Sequence, residues 1–329
     1  MGLAEKGAQT CTLVVPCYNE AGCIPTLIDR IQVALSGVPN FSYEILFVND
    51  GSTDGTALVL ARIRLQNPRV AVVTLARNFG HQGALLAGLQ YAQGDAIIVM
   101  DADLQHPPEL LPEFVSLWRK GFDVVQGVRQ GQPGLRKSLA SRSFYFLINR
   151  ISEVEIQDGA ADFRLMSRSV VNALLALPEQ TRFVRGIVAW LGFRSTLVPF
   201  RASARHAGEP GYTFRASAKL ARDALVTLST RPLDLALYMA ALTLLAGSGY
   251  FVYVAWKVVS GEPLVRGWTS TILTVLLLGS ANLFCTGILG MYLREVLTST
   301  RKRPPYVVAS VLASQTGSPS TPDTEPIKS

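Results

Sequence analysis

The chain is short of charge. Only 17% of its 329 residues are Asp, Glu, Lys or Arg, against about a quarter in soluble globular proteins. Because 49% of the residues are hydrophobic, intrinsic disorder is excluded: it requires low hydrophobicity together with high net charge. The same shortage argues against a purely soluble enzyme. Cysteine is scarce as well. Cys11, Cys17 and Cys23 are evenly spaced but form no CxxC pair, and Cys285 lies in an apolar run. A zinc site would need a fourth ligand at suitable spacing, so reduced, structural thiols are expected. No GxGxxG follows the first predicted strand and no GxxxxGK[ST] occurs. A dinucleotide oxidoreductase and a P-loop NTPase therefore lack support. No internal repeat is visible. Leu13 to Pro16 is too short for a signal region and belongs to a strand, so no export signal is expected at the N-terminus.

What is present in excess is uncharged apolar sequence. Leu235 to Trp256 is a run of 22 residues without Asp, Glu, Lys or Arg, and Gly267 to Leu293 is a second, of 27. At about 1.5 Å per residue each would exceed the roughly 30 Å of bilayer hydrocarbon. Tyr250, Tyr253, Trp256 and Trp268 cluster at the facing ends of the runs, as interfacial aromatics do. Two transmembrane helices, about 233–256 and 268–293 within a hairpin region 232–295, are expected. Residues 215–231 carry a net charge of +3, residues 294–303 also +3, and the short connection 257–266 only +1. The positive-inside rule then puts both termini and the catalytic part in the cytoplasm, as a multi-pass protein of the cell inner membrane. Residues 201–231 form a juxtamembrane segment, in which Phe214, Leu220, Leu225 and Leu228 alternate with Arg215, Lys219 and Arg222, a pattern suited to the membrane interface. Residues 296–329 are expected to be a cytoplasmic, largely disordered tail, with Ser314 to Ser329 rich in Ser, Thr and Pro.

Residues 1–200 read differently. Thr12–Pro16, Tyr43–Val48, Val70–Thr74 and Ala96–Met100 are near-continuous apolar runs, with helix candidates at Gly22–Leu35, Asp54–Gln66 and Gln82–Ala92 between them. This alternation predicts an α/β domain with a doubly wound, mostly parallel sheet buried on both faces. Ligands of such sheets bind beyond the carboxyl ends of the strands. Polar motifs sit at those ends. Asp54 suits a helix N-cap, whereas Asp50 lies at a strand tip, where a carboxylate can accept hydrogen bonds from a base or ribose. Asp101 and Asp103, two residues apart at another strand end, would repel unless a cation or bound donor balances them. Oxygen ligands of this kind suit Mg²⁺ or Mn²⁺ shared with substrate phosphates.

The ordered set Val15-Pro16-Cys17-Tyr18-Asn19-Glu20, Asn49 to Thr56, Arg77-Asn78-Phe79-Gly80-His81-Gln82 and Asp101 to Gln105 resembles the family 2 glycosyltransferases of GT-A fold. Further matches at Gly127-Val128-Arg129, Ser141 to Tyr145, Ala161 to Met166, Arg182 to Gly186 and Ser229 to Leu233 resemble the polyprenyl-phosphate glycosyltransferase subgroup. That subgroup includes bactoprenol glucosyltransferases and dolichol-phosphate mannose synthase. The resemblance spans residues 11 to about 295. It implies that Pro16, Tyr18, Glu20 and Asp50 line the nucleotide, that Asp101 and Asp103 engage Mg²⁺ or Mn²⁺ and the diphosphate, and that Gln105 lies near the sugar. It also implies that Arg129, Arg136 and Ser141 hold an acceptor phosphate, that Arg205 reaches the donor pyrophosphate, and that Asp162 orients acceptor or sugar. Asp162 could instead simply pair with Arg164 or another Arg. Where the family usually has Arg-x-x-Gly-x-Ser-x-Tyr, this chain has Arg205 to Tyr212 with Pro210 in place of Ser.

The implied reaction is inverting transfer of a sugar from a nucleotide sugar, UDP-glucose favoured, to a membrane polyprenyl phosphate. UDP-GlcNAc, a modified UDP-sugar and GDP-mannose are alternative donors. A processive polysaccharide synthase would carry Gln-x-x-Arg-Trp and more spans, and neither is present. A non-catalytic, membrane-anchored nucleotide-binding module is a reading of another class. No nucleic-acid partner is expected, and a homo-oligomer is compatible.

Overall fold

The computed structural model describes residues 9–130, 160–177, 184–201, 231–260, 267–301 and 303–314. Eight strands form one sheet: β1 (Gln9–Cys17), β2 (Phe41–Asn49), β3 (Val70–Leu75), β4 (Ala96–Val99), β5 (Val124–Gln130), β6 (Ala160–Ser167), β7 (Ser195–Arg201) and β8 (Val308–Leu312). Their order across the sheet is β7-β5-β6-β4-β1-β2-β3-β8. Strands β4, β1, β2 and β3 run parallel, as do β5 and β7. β6 is antiparallel to both β4 and β5. The expected mostly parallel α/β sheet is present, with an antiparallel strand inserted at β6.

Helices α1 (Ile24–Leu35), α2 (Thr56–Gln66), α3 (His81–Tyr91) and α4 (Leu111–Arg119) follow the first four strands, and α5 (Arg168–Leu175) and α6 (Val184–Trp190) follow β6. They cover both faces. One core gathers Leu13, Val15, Ile45, Phe47 and Ile98 with Ile24, Leu27 and Phe114; the other gathers Val14, Val48, Val73 and Val99 with Leu85, Val170 and Ile187. Successive strand residues point to opposite faces, so burial on both sides requires the unbroken apolar runs seen in the sequence. On the second face α3 approaches β1 closely. A Cβ on Gly88 would collide with the Val14 side chain, so glycine is required for that packing.

In the segment expected to be a largely disordered tail, residues 296–300 continue the helix Trp268–Thr300 and residues 308–312 form β8, while 315–329 lie outside the described residues. β8 pairs antiparallel with β3, Val73 opposite Val311 and Thr74 opposite Ser310. The Ala76 N–H donates to the Val307 carbonyl at 2.9 Å. The Tyr306 hydroxyl donates to Gln90 at 2.6 Å, and Arg64 donates twice to the Ala313 carbonyl. An edge strand leaves a row of backbone groups unpaired, and β8 covers that row on β3.

Two long helices, α7 (Arg231–Val259) and α8 (Trp268–Thr300), form a separate compact unit. They occupy the two uncharged runs, and the Cys285 thiol of α8 lies 3.7 Å from the Ala236 carbonyl of α7. Leu237, Leu244, Leu245, Leu277 and Leu283 are exposed along them. Among the described residues, no helix is long and apolar enough to cross a membrane. The juxtamembrane segment expected before α7 lies outside the described residues.

Candidate active site

The carboxyl ends of the parallel strands carry four loops, and these are tied to one another. The Asn19 N–H donates to the Ser52 hydroxyl at 3.1 Å, and the Thr53 N–H donates to Asn19 Oδ1 at 2.9 Å. Asn19 has φ +58°, a left-handed conformation in which Asn is among the tolerated residues. The Glu20 N–H donates to the Thr56 hydroxyl. In the second loop Gly51 has φ +66°, and a Cβ there would stand 2.6 to 2.9 Å from the Arg77 and Asn78 backbone. Only glycine lets these loops approach so closely.

Asp50 fastens the second loop to the third. Its two oxygens accept hydrogen bonds from the Phe79 and Gly80 N–H groups at 2.7 and 2.9 Å. The residue is only 3% exposed. Burial pushes its carboxyl up, against the two backbone bonds that stabilise the anion. Asp50, expected at the nucleotide, is thus first of all a clasp between loops. Pro16 is buried at the end of β1, Tyr18 is 44% exposed beyond it, and Glu20 is half-buried.

The fourth loop holds the carboxylate pair. Asp101 and Asp103 are both partly exposed, and Asp103 Oδ1 accepts from the Gln105 N–H at 3.1 Å. Between them and Gln105 the buried Leu104 takes φ +63°, a rare conformation for a side chain of its size. Gln105 accepts from Arg129 Nη2 at 2.9 Å. Arg129 comes from β5, where the register shifts between Gln126 and Val128. At that irregularity sits Gly127, where a Cβ would press on Phe163 at 2.9 Å. Two residues that the sequence assigned to different ligands therefore touch each other.

Asp162 follows from sheet register. Val99 of β4 stands opposite Arg164 of β6, so continuing the antiparallel pairing sets position 162 across from 101. Its carboxylate receives Arg164 Nη2 at 2.6 Å and Arg185 Nη2 at 2.9 Å. His81 Nε2, at the start of α3, lies 3.6 Å from Asp162 and 3.7 Å from Asp101. Burial would raise the Asp162 carboxyl, but His81 and the two guanidinium groups hold it well below the ordinary carboxylate range. Burial would lower His81, but Asp162 and Asp101 raise it to about 9. Asp162 thus sits in an ion-pair cluster with Arg164 and Arg185, the pairing that the sequence left open as an alternative. Arg164 is 1% exposed, and among the described residues its Nε and Nη1 find no partner.

Sequence reasoning gave no role to His81, His106 or Arg185. His81 and Arg185 lie inside recognised motifs, and His106 directly follows Gln105. Their spacing from Asp101 and Asp162 along the chain does not reveal that they meet. Arg136, Ser141 and Arg205 lie outside the described residues.

Residues 12–175 match the family model described as "Glycosyl transferase family 2". A Bacillus subtilis glycosyltransferase, YkcC, is 38% identical over 300 residues, covering 90% of this chain and 92% of its own. The chain belongs to glycosyl transferase family 2. The prophage bactoprenol glucosyl transferase homolog of Escherichia coli is 35% identical over 306 residues, 91% of this chain and 98% of that one. The bactoprenol glucosyl transferase of Shigella phage SfV is 35% identical over 303 residues, with 90% and 97% covered. As a family 2 glycosyltransferase, the protein is an enzyme that takes its sugar from a nucleotide sugar. The converging loops at the carboxyl ends of the parallel strands form its candidate active site.

Among the described residues, no group of three or more His, Cys, Asp and Glu is arranged to hold a metal ion by itself. The chemistry of Asp101 and Asp103, two partly exposed carboxylates on one loop, nonetheless fits a hard cation that takes its remaining ligands from water and substrate phosphates, the usual manner of Mg²⁺.

Proposed function

We propose that the protein transfers glucose from UDP-glucose to a polyprenyl phosphate held in the membrane, giving a polyprenyl-phosphate sugar with inverted anomeric configuration. The observation that carries this reading is near full-length similarity to proteins named bactoprenol glucosyl transferase. The lipid acceptor, the two runs of 22 and 27 residues without Asp, Glu, Lys or Arg, and their basic flanks are the basis for reading a membrane hairpin with the catalytic domain and both termini on the cytoplasmic side of the inner membrane.

In this reading Pro16, Tyr18, Glu20 and Asp50 line the base and ribose, Asp50 through the lone pairs that its loop bonds leave over. Asp101 and Asp103 hold Mg²⁺ or Mn²⁺, which when bound would neutralise charge on the nucleotide diphosphate. Gln105 orients the sugar. Arg129, with Arg136 and Ser141, cradles the acceptor phosphate, a role suited to guanidinium forks. Arg205 is assigned to the diphosphate by resemblance to the family motif alone. The acceptor oxygen attacks the anomeric carbon as the bond to the nucleotide diphosphate breaks. A phosphate monoester is mostly dianionic at neutral pH, its second pKa being near 6, so no general base is required. That agrees with an Asp162 already committed to two arginines.

The test is reconstitution of the full-length protein in vesicles with polyprenyl phosphate, Mg²⁺ or Mn²⁺, and UDP-glucose, UDP-GlcNAc or GDP-mannose in turn. A glycolipid should form with UDP-glucose and disappear with EDTA or Asp103→Ala. Product from another donor alone would replace the sugar assignment. Product that survives both EDTA and Asp103→Ala would remove the metal.

A further inference from the structure

His106 is buried, 1% exposed, and its surroundings are aromatic: it stacks on Phe163 at 5.1 Å and 12°, and meets Phe200 edge-on at 5.8 Å. A histidine placed in such a setting only to fill space could be replaced by Phe. Its ring nitrogens, however, both address one residue. The Asp101 backbone N–H donates to His106 Nδ1 at 3.0 Å, and His106 Nε2 lies 3.5 Å from Asp101 Oδ2. A ring nitrogen that accepts from an N–H carries no proton of its own, so the proton of the neutral ring sits on Nε2, the nitrogen that lies 3.5 Å from the carboxylate. The single tautomer that satisfies the backbone thus leaves the ring proton on the nitrogen beside the Asp101 carboxylate.

We infer that His106 is a positioning residue: by holding the main chain of Asp101, with its ring beside the carboxylate, it presets that carboxylate for a divalent cation. The inference rests on the proposed role of Asp101 as a cation ligand. The loop supplies the reason for such a brace. Asp101 starts a turn with Leu104 at φ +63°, and Asp103 Oδ1 accepts from the Gln105 N–H within the same loop. A loop bent that sharply, carrying two like charges, needs a fixed point in the core. Phe163 provides it, since it packs also on Phe114 at 4.6 Å and leaves the imidazole one plane in which to lie. Partners that orient metal ligands in this way typically change metal affinity or activity about 10- to 100-fold when removed.

The experiment compares His106→Phe, His106→Asn and Asp101→Asn in the full-length protein. Mn²⁺ is titrated onto UDP-saturated protein and read by electron paramagnetic resonance, with thermal unfolding in parallel. His106→Phe keeps the ring stack and should weaken Mn²⁺ binding about 10-fold or more. His106→Asn offers a carbonyl oxygen near the Nδ1 position and should recover most of that loss. Unchanged Mn²⁺ affinity in a folded His106→Phe protein, with Asp101→Asn impaired, overturns the role of His106 alone. Undiminished binding by Asp101→Asn overturns the cation reading and this inference with it. Should His106→Phe not fold, nitrogen-15 histidine spectra of the wild type decide. A protonated Nδ1 overturns the inference, and an unprotonated Nδ1 with protonated Nε2 upholds it.

Discussion

Arg129 donates from Nη2 to the side-chain oxygen of Gln105 at 2.9 Å, which joins the strand β5 to the loop of the carboxylate pair. In the proposed reaction this contact couples the acceptor side of the site to the donor side. Arg129→Ala and Gln105→Ala should each lower kcat/KM for glycolipid formation. Because the two groups touch, their effects should not add: a coupling energy of about 0.5 to 3 kcal/mol is expected in a double-mutant cycle. Strictly additive losses would mean that the working enzyme does not use this contact.

Gly51 is the point where the loops after β2 and β3 meet, both on the nucleotide side in the proposed function. Gly51→Ala combines a left-handed backbone, costing about 1 to 2 kcal/mol for an L-residue, with an overpacked contact, typically about 1 to 3 kcal/mol. The collision is with the backbone of Arg77 and Asn78, which cannot move aside as a flexible side chain could. Denaturant unfolding should register the lost stability, and UDP binding by calorimetry should weaken. A variant as stable as the wild type would show that the loops can separate at no cost.

The parts of the fold set by local pattern were legible in the sequence. β1 to β4 fall on the four apolar runs, because a strand buried on both faces has no polar alternate positions to blur it. Asp101 and Asp103 were legible because a strand end is a local feature. β8 was not. Val308–Leu312 is a short apolar run in a Ser- and Pro-rich stretch, and nothing local says that the β3 edge, more than 200 residues earlier, will pair with it. The partners of Asp162 were hidden for a similar reason. Arg164 is two residues away, but Arg185 and His81 reach it from other helices, and only the β4–β6 register brings Asp101 alongside. His106 carries two hydrogen-bonding nitrogens in an aromatic pocket, and its meaning emerges only when the acceptor on Nδ1 is known.

The returning strand makes a prediction about stability. Tyr306→Phe removes the hydroxyl bond to Gln90 without changing the ring, and should cost about 1 kcal/mol, or roughly 2 to 4 °C in Tm for a domain of this size. Truncation after residue 303 should do more, since it uncovers the β3 edge and invites pairing with another chain. Light scattering during mild heating should rise earlier in the truncated protein. Equal aggregation onset in both would show that β8 does not protect that edge.

Asp162 makes the sharpest prediction, because two effects of opposite pH sense meet there. Asp162→Asn leaves the buried Arg164 without its counter-ion, a change that usually costs about 3 to 5 kcal/mol. The Asp162 carboxyl is depressed in the folded state, so its contribution is present above the ordinary unfolded value of about 3.9 and is lost as pH falls toward the folded one. His81 works the other way. Its pKa rises from 6.5 to about 9, so its contribution is complete below 6.5 and is lost as pH rises through about 9. His81 is itself 41% exposed, and solvent screening tempers its share. The stability difference between wild type and Asp162→Asn, measured on protein stripped with EDTA, should therefore grow as pH falls from 9 toward 6.5. It should stay level to about pH 4 and shrink in stronger acid. A difference that vanishes between pH 7 and 5 would mean that Asp162 titrates there, and would restore it as a candidate base.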